Sequence, residues 1–154
     1  MEMEIYGPCA DNLPLILNDV LDRIKQLSST QVANGHPKLY EHLIGRVKAN
    51  DSMTEKCQRK GYPATPESAL RKCRDAVGIR VVCNFIDDVY RCIDLLRDAD
   101  WCTIVKEKDY IANAKPNGYR SYHLILDVVT PYQDIDGHTP GHYFVEIQLR
   151  TIAM

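Results

Sequence analysis

The stretch Val145-Glu146-Ile147-Gln148-Leu149-Arg150-Thr151 constrains the fold most. Apolar and polar residues alternate strictly along it. A period of two is the signature of a β-strand with one buried face. Val145, Ile147 and Leu149 point into the protein. Glu146, Gln148 and Arg150 then form a row of carboxylate, amide and guanidinium on the opposite side. Solvated strands often carry such a row, so the pattern alone is equally an ordinary surface. Its meaning depends on what the rest of the chain sets beside it.

The other elements follow from the same periodicities. Residues 1–10 show no pattern and are expected to form a disordered tail. Asp11 can cap a helix with Pro14 in its first turn, and Leu13, Leu17, Val20, Ile24 and Leu27 recur at helical spacing to about Ser28. Ser28 to Lys38 reads as a loop. Tyr40 to Lys48 reads as a strand with Arg46 and Lys48 on one face. Asp51 to Lys60 reads as a helix with Lys56 and Lys60 on one side. A short helix follows from Thr65 to Arg74. Val77 to Asn84 is a nearly continuous apolar run, expected to be a central strand covered on both sides. Asp75 and Arg80 are five residues apart, so one regular strand cannot show both on one face. Asp75 therefore precedes the strand, or Gly78 marks a bulge. Asp87 and Asp88 open a helix running to about Asp98. Strands are predicted over Cys102–Glu107, Ser121–Val129 and His142–Thr151. The expectation is a single α+β domain: a mixed, five-stranded sheet flanked by helices.

Composition narrows the partners. The 154 residues suffice for one domain with a core, and the net charge of -2 argues against bulk binding to nucleic acid. Charge is nonetheless uneven. From Arg46 to Arg80 nine Lys/Arg stand against four Asp/Glu. A local basic patch in a neutral protein suits a small anionic ligand. Six cysteines without a C-x-x-C pair point to reduced structural thiols in a cytoplasmic protein, and no zinc site is expected. No apolar run is long enough to span a membrane.

Lys108, Tyr110, Lys115, Asn117, Tyr119 and His123 fall within sixteen residues. Asn117-Gly118 is a turn signal that can carry Tyr119 over a pocket. A tyrosine ring stacks on a base, and lysines neutralise phosphates. A surface hairpin with solvated charges has the same composition. Asp75 and Glu146, one before a strand and one within a strand, can converge to hold a magnesium ion between triphosphate oxygens.

Taken together, Gly45-Arg46-Val47-Lys48, Asp75 to Arg80, Lys108-Asp109-Tyr110-Ile111, Lys115 to His123 and Glu146 to Met154 resemble the RelA/SpoT synthetase domain. The close resemblance is to its short, stand-alone members, the small alarmone synthetases, and it implies a nucleotidyltransferase-like fold. It runs from about Tyr40 to Met154. The resemblance implies a GTP pyrophosphokinase. Such an enzyme moves the β,γ-diphosphate of ATP to the 3′-hydroxyl of GDP or GTP, with magnesium as cofactor, giving ppGpp or pppGpp and AMP. By the same resemblance Arg46 and Arg80 flank the adenine. Lys48, Lys56 and, more weakly, Ser52 hold the ATP phosphates. Asp75 and Glu146 bind the metal, and Glu146 is the base. Tyr119 is the platform for guanine, and Lys108, Tyr110, Lys115, Asn117, His123 and Gln148 contact the acceptor.

Family members usually continue beyond the last motif, so a domain over 11–154 without C-terminal helices is expected. Hydrolase and regulatory domains do not fit in this length. Some small members are tetramers, which leaves a homo-oligomer open. An alarmone or single-stranded RNA is open as a regulator. Where an aromatic is expected before Gly45, His42 and Ile44 stand instead, so regulation is not carried over. Two other classes compete: a catalytically weakened nucleotide- or alarmone-binding module, and an RNA-binding regulator using residues 46–80. DNA and membranes are not expected partners.

Overall fold

The computed structural model describes residues 4–154. Its regular elements are α1 (Asn12–Ala33), β1 (His42–Val47), α2 (Asn50–Arg59), β2 (Val77–Cys83), α3 (Ile86–Asp98), β3 (Cys102–Asp109), β4 (Tyr122–Thr130) and β5 (Gly141–Thr151). The five strands form one sheet in the order β1-β2-β5-β4-β3. β2 and β5 run parallel, and the other pairs are antiparallel. This is the expected mixed sheet in a single α+β domain.

The sheet buries one face under α1 and α3. Leu13, Ile16, Leu17, Val20 and Ile24 of α1, with Val89, Cys92, Ile93 and Leu96 of α3, meet Ile79 and Val81 of β2, Leu124 and Leu126 of β4, and Val145, Ile147 and Leu149 of β5. Every one of these side chains is 9% exposed or less, so a continuous apolar layer holds the domain together. Gly45 lets α1 lie close on β1. A Cβ there would stand 2.5 Å from Leu17 Cδ1.

Four expectations are corrected. Residues 5–10 are not a frayed tail. Ile5, Tyr6 and Cys9 are buried, and the Tyr6 hydroxyl donates to the Lys48 carbonyl at 2.6 Å. Their packing is irregular and therefore leaves no period in the sequence. Residues 1–3 of that expected tail lie outside the described residues. Next, α1 continues past Ser28 to Ala33. Its polar last turns contain nothing that breaks a helix until the chain closes it with Gly35 N–H to Val32 O at 3.0 Å and His36 N–H to Gln31 O at 2.9 Å. The short helix expected over 65–74 is a single π-helical turn, Ser68–Lys72. Lastly, β2 is covered on one face only. Ile79 and Val81 are buried, while Arg80 between them is exposed. Its register with both neighbours is continuous, so Gly78 marks no bulge and Asp75 precedes the strand.

Candidate functional site

Strand register builds the uncovered face of the sheet into two transverse rows. Ile44, Arg80, Gln148, His123 and Lys108 are partners across β1, β2, β5, β4 and β3. One step along, Arg46, Gly78, Glu146, Ile125 and Lys106 form the second row. Partners opposite one another in a sheet show the same face, so nine of these ten residues put a polar or apolar side chain of some size beside its neighbours. Gly78 is an exception, and no atom lies within 4 Å of where its Cβ would be. The gap opens a cavity of about 260 Å³ lined by Ile44, Arg46, Asp75, Arg80, Glu146 and Gln148.

Asp75 enters from the segment before β2. The Lys48 N–H bonds the Ala76 carbonyl at 2.8 Å, which brings the end of β1 against this segment. Lys48 Nζ and Lys56 Nζ, the second from α2, both donate to Asp75 Oδ2, at 2.6 and 2.8 Å. Burial pushes the Asp75 pKa up, but these two lysines outweigh it and hold the carboxyl below its ordinary range. Oδ1 is different. Among the described residues it is the one buried side-chain oxygen or nitrogen without a hydrogen-bond partner.

Glu146 lines the same cavity. Burial raises its pKa, and the charge of Asp75 raises it further, against the pull of Lys56, Lys48 and Arg46. On its other side lies a second cavity, of about 170 Å³, where Lys56, Lys60, Lys72, Arg74 and Lys106 face Asp75 and Glu146. Five cations around two carboxylates make a site for a polyanion.

The third part is the β3–β4 loop. Gly118, at φ +82°, turns the chain, and the Asn117 side-chain oxygen accepts from Tyr119 N–H at 3.0 Å. The Lys115 ammonium sits 4.6 Å from the Tyr110 ring centre and 5.5 Å from that of Tyr119. Tyr119 Oη and His123 Nε2 are 3.0 Å apart, and the Gln148 amide donates to the same tyrosine oxygen. Arg80 Nε donates to Gln148 Oε1 at 2.9 Å. Burial lowers the His123 pKa, and Lys115 and Lys108 lower it further, which favours the neutral ring.

The expected residues are thus mostly brought together. Arg46, Lys48, Lys56, Asp75, Arg80, Glu146 and Gln148 gather around the cavities, with Tyr110, Lys115, Tyr119 and His123 alongside. Lys108 is exposed and stands opposite His123 on β3. Two do not join them. Ser52 is exposed in the first turn of α2 and lines neither cavity. Asn117 spends its oxygen on its own turn. Lys60, Lys72, Arg74 and Lys106 were not picked out as candidates, although the positive balance of 46–80 and the four-residue step from Lys56 to Lys60 signal three of them. Gly78 gave no sign of its part, because an opening is the absence of a side chain.

Known proteins share this sequence and this fold. The model of a region found in RelA/SpoT proteins matches residues 45–154. A GTP pyrophosphokinase of Bacillus subtilis, YwaC, is 37% identical over 138 residues, covering 88% of this chain and 63% of the relative. A second from the same organism, YjbM, is 40% identical over 114 residues, covering 74% of this chain and 51% of the relative. The chain therefore spans between half and two thirds of these relatives' length. The crystal structure of B. subtilis small alarmone synthetase 1 bound to its product pppGpp superposes with a TM-score of 0.76 at 33% identity, covering 92% of this chain and 69% of that one. Both transverse rows lie within the matched region except Ile44, and so do Lys48, Lys56, Asp75 and Tyr119. On sequence and fold, this chain belongs to the RelA/SpoT family.

Proposed function

We propose that the chain is a GTP pyrophosphokinase that transfers the β,γ-diphosphate of ATP to the 3′-hydroxyl of GDP or GTP, making ppGpp or pppGpp and AMP. One observation carries this reading. Asp75 and Glu146 line the cavity of Arg46 and Arg80, Lys48 and Lys56 both hold Asp75, and Gln148 of the same cavity bonds Tyr119 of the β3–β4 loop. That is a place for two nucleotides with their phosphates between them. The name and product of the relatives described above agree with it.

In this reading the adenine packs between the guanidinium groups of Arg46 and Arg80, and the guanine stacks on Tyr119. Lys48 and Lys56 neutralise the triphosphate. Phosphoryl-type transfer is mostly alignment and charge neutralisation. The 3′-oxygen forms a bond to the β-phosphorus. The bond from that phosphorus to the oxygen bridging it to the α-phosphate breaks, and its electron pair leaves with AMP. Glu146 takes the proton of the 3′-hydroxyl, a role that its raised proton affinity favours. A divalent cation, which we assign as magnesium, fits the pair of carboxylates. Asp75 Oδ1 is buried and unpartnered, and Glu146 shares its cavities. Bound there, the ion supplies positive charge to the phosphate oxygens. We place the enzyme in the cytoplasm, in keeping with six unpaired, buried cysteines.

The test uses ATP labelled at the γ-phosphate with magnesium and GDP or GTP, resolved by anion exchange. Label in a guanosine product, with AMP formed in step and turnover almost lost in Glu146→Gln, is the expected result. Label remaining in ATP, or released as inorganic phosphate, overturns the reading.

A further inference from the structure

We propose that Gln148 is a positioning residue that couples the two nucleotide sites, so that a base packed on Arg80 tightens binding of a base on Tyr119, and the reverse. The inference rests on the function proposed above and adds a property that function does not require.

The amide is engaged at both ends. Its oxygen accepts from Arg80 Nε at 2.9 Å. Its nitrogen donates to the Tyr119 hydroxyl and lies 3.4 Å from His123 Nε2. The hydroxyl in turn is 3.0 Å from His123 Nε2, which also meets Ser121 Oγ at 2.8 Å. Arg80, Gln148 and His123 are direct strand partners on β2, β5 and β4, at the centre of the sheet. The backbone beneath the link is therefore its stiffest part. The two ends are softer. Arg80 is exposed, and Tyr119 belongs to a loop of twelve residues, 110–121, between β3 and β4.

The Arg80 Nε–H can only donate, so the amide keeps its oxygen toward Arg80 and its nitrogen toward Tyr119. A base lying on the guanidinium fixes the plane of Arg80 and with it the direction of its Nε–H. The Gln148 oxygen follows that direction, and its nitrogen is then held toward Tyr119. The tyrosine ring is thereby set before the second base arrives. The ordering is shared between the ligands, which is a coupling free energy, and it must be reciprocal.

The probes are GDP and AMPCPP. AMPCPP carries a methylene in place of the α,β-bridging oxygen, so the bond that the reaction breaks is absent. Calorimetric titrations with magnesium measure GDP affinity with and without saturating AMPCPP, and then AMPCPP affinity with and without GDP. In the wild type each tightens the other by the same factor, roughly fivefold or more. In Gln148→Leu the factor falls to about one while each nucleotide still binds alone. Tyr119→Phe keeps the stacking ring, removes the hydroxyl and gives the same loss. It sits in a loop and carries the test if Gln148→Leu does not fold. A purely structural role weakens both affinities and leaves their ratio intact, and that result overturns the proposal. A wild-type factor of one, with both nucleotides bound, overturns the coupling alone. Failure of the wild type to bind either nucleotide overturns the proposed function and the coupling with it.

Discussion

Asp75 and Glu146 line the same two cavities, yet their carboxyl groups are pushed in opposite directions. Asp75 holds two lysine ammonium groups and is driven below the ordinary aspartate value in spite of its burial. Glu146 is buried beside that negative charge and is driven above the ordinary glutamate value. Two carboxylates held apart in this way divide the labour of an acid-base site: one stays charged, and the other can exchange a proton.

Glu146→Gln separates activity from stability. The change keeps the shape and removes a base, so turnover falls by roughly 10²–10⁴-fold. A carboxylate whose pKa is raised on folding contributes stability below its unfolded pKa and loses it as pH rises through the folded one. At pH 7 the charged form therefore costs stability, and the amide relieves that cost. The melting temperature of Glu146→Gln at pH 7 rises above that of the wild type, and the gap closes as both are melted at lower pH. In the wild type the acid limb of turnover falls at a pH above the ordinary glutamate value, since the base must be unprotonated. A turnover within tenfold of wild type overturns the role of Glu146.

Asp75 has the opposite sign. Its stability contribution is present above the unfolded aspartate pKa and is lost as pH falls through the lower folded value. Asp75→Asn leaves Lys48 and Lys56, only 18% and 19% exposed at their side chains, facing a neutral amide in place of the carboxylate they share. Removing a charge-assisted partner of this kind costs about 1–3 kcal/mol. Urea unfolding at pH 7 should show that loss. Melts from pH 6 down to pH 3 should show a flatter profile for Asp75→Asn than for the wild type, because one acid-sensitive contact is already gone. Equal stability of the two proteins at pH 7 overturns the pairing.

Much of this arrangement was legible in the chain. The alternation of Val145 to Thr151 correctly sorts Glu146, Gln148 and Arg150 from the core. The five-residue step from Asp75 to Arg80 leaves two readings, a bulge at Gly78 or an aspartate ahead of β2, and the continuous register selects the second. What the sequence hid was hidden for physical reasons. Ile5, Tyr6 and Cys9 pack irregularly, and irregular packing has no period to read. The apolar run of β2 looked two-sided because Val82 adds to its hydrophobicity from the open face. The cluster of Lys60, Lys72, Arg74 and Lys106 joins three separate elements, and only the tertiary fold brings them to one cavity.

Gly45 tests the fold without touching the chemistry. A methyl group at this position meets Leu17 Cδ1 at 2.5 Å and Leu21 Cδ1 at 3.1 Å. Leu17 is buried between α1 and the sheet and has little room to move. Overpacking of this sort costs typically about 1–3 kcal/mol. For a domain of this size Gly45→Ala should lower the melting temperature by several degrees, at about 2–4 °C per kcal/mol. An unchanged melting temperature means that α1 can shift outward without cost.

Gly78 is the reverse case. It also sits in a strand, but its missing side chain faces the open side, between Arg46 and Glu146, and no atom stands within 4 Å of its Cβ position. Valine fits the backbone of a strand better than glycine does. Gly78→Val should therefore fold with a melting temperature equal to or above that of the wild type. Its isopropyl group occupies the 260 Å³ cavity between the two arginines and Glu146, where the adenine nucleotide is proposed to lie. AMPCPP affinity should fall at least tenfold, about 1.4 kcal/mol. GDP affinity measured without AMPCPP should change far less, because Tyr119 lies across Gln148 from the filled space. A stable Gly78→Val protein that binds AMPCPP as the wild type does shows that the donor nucleotide lies elsewhere. A protein that loses both nucleotides equally shows that the open face is one undivided site.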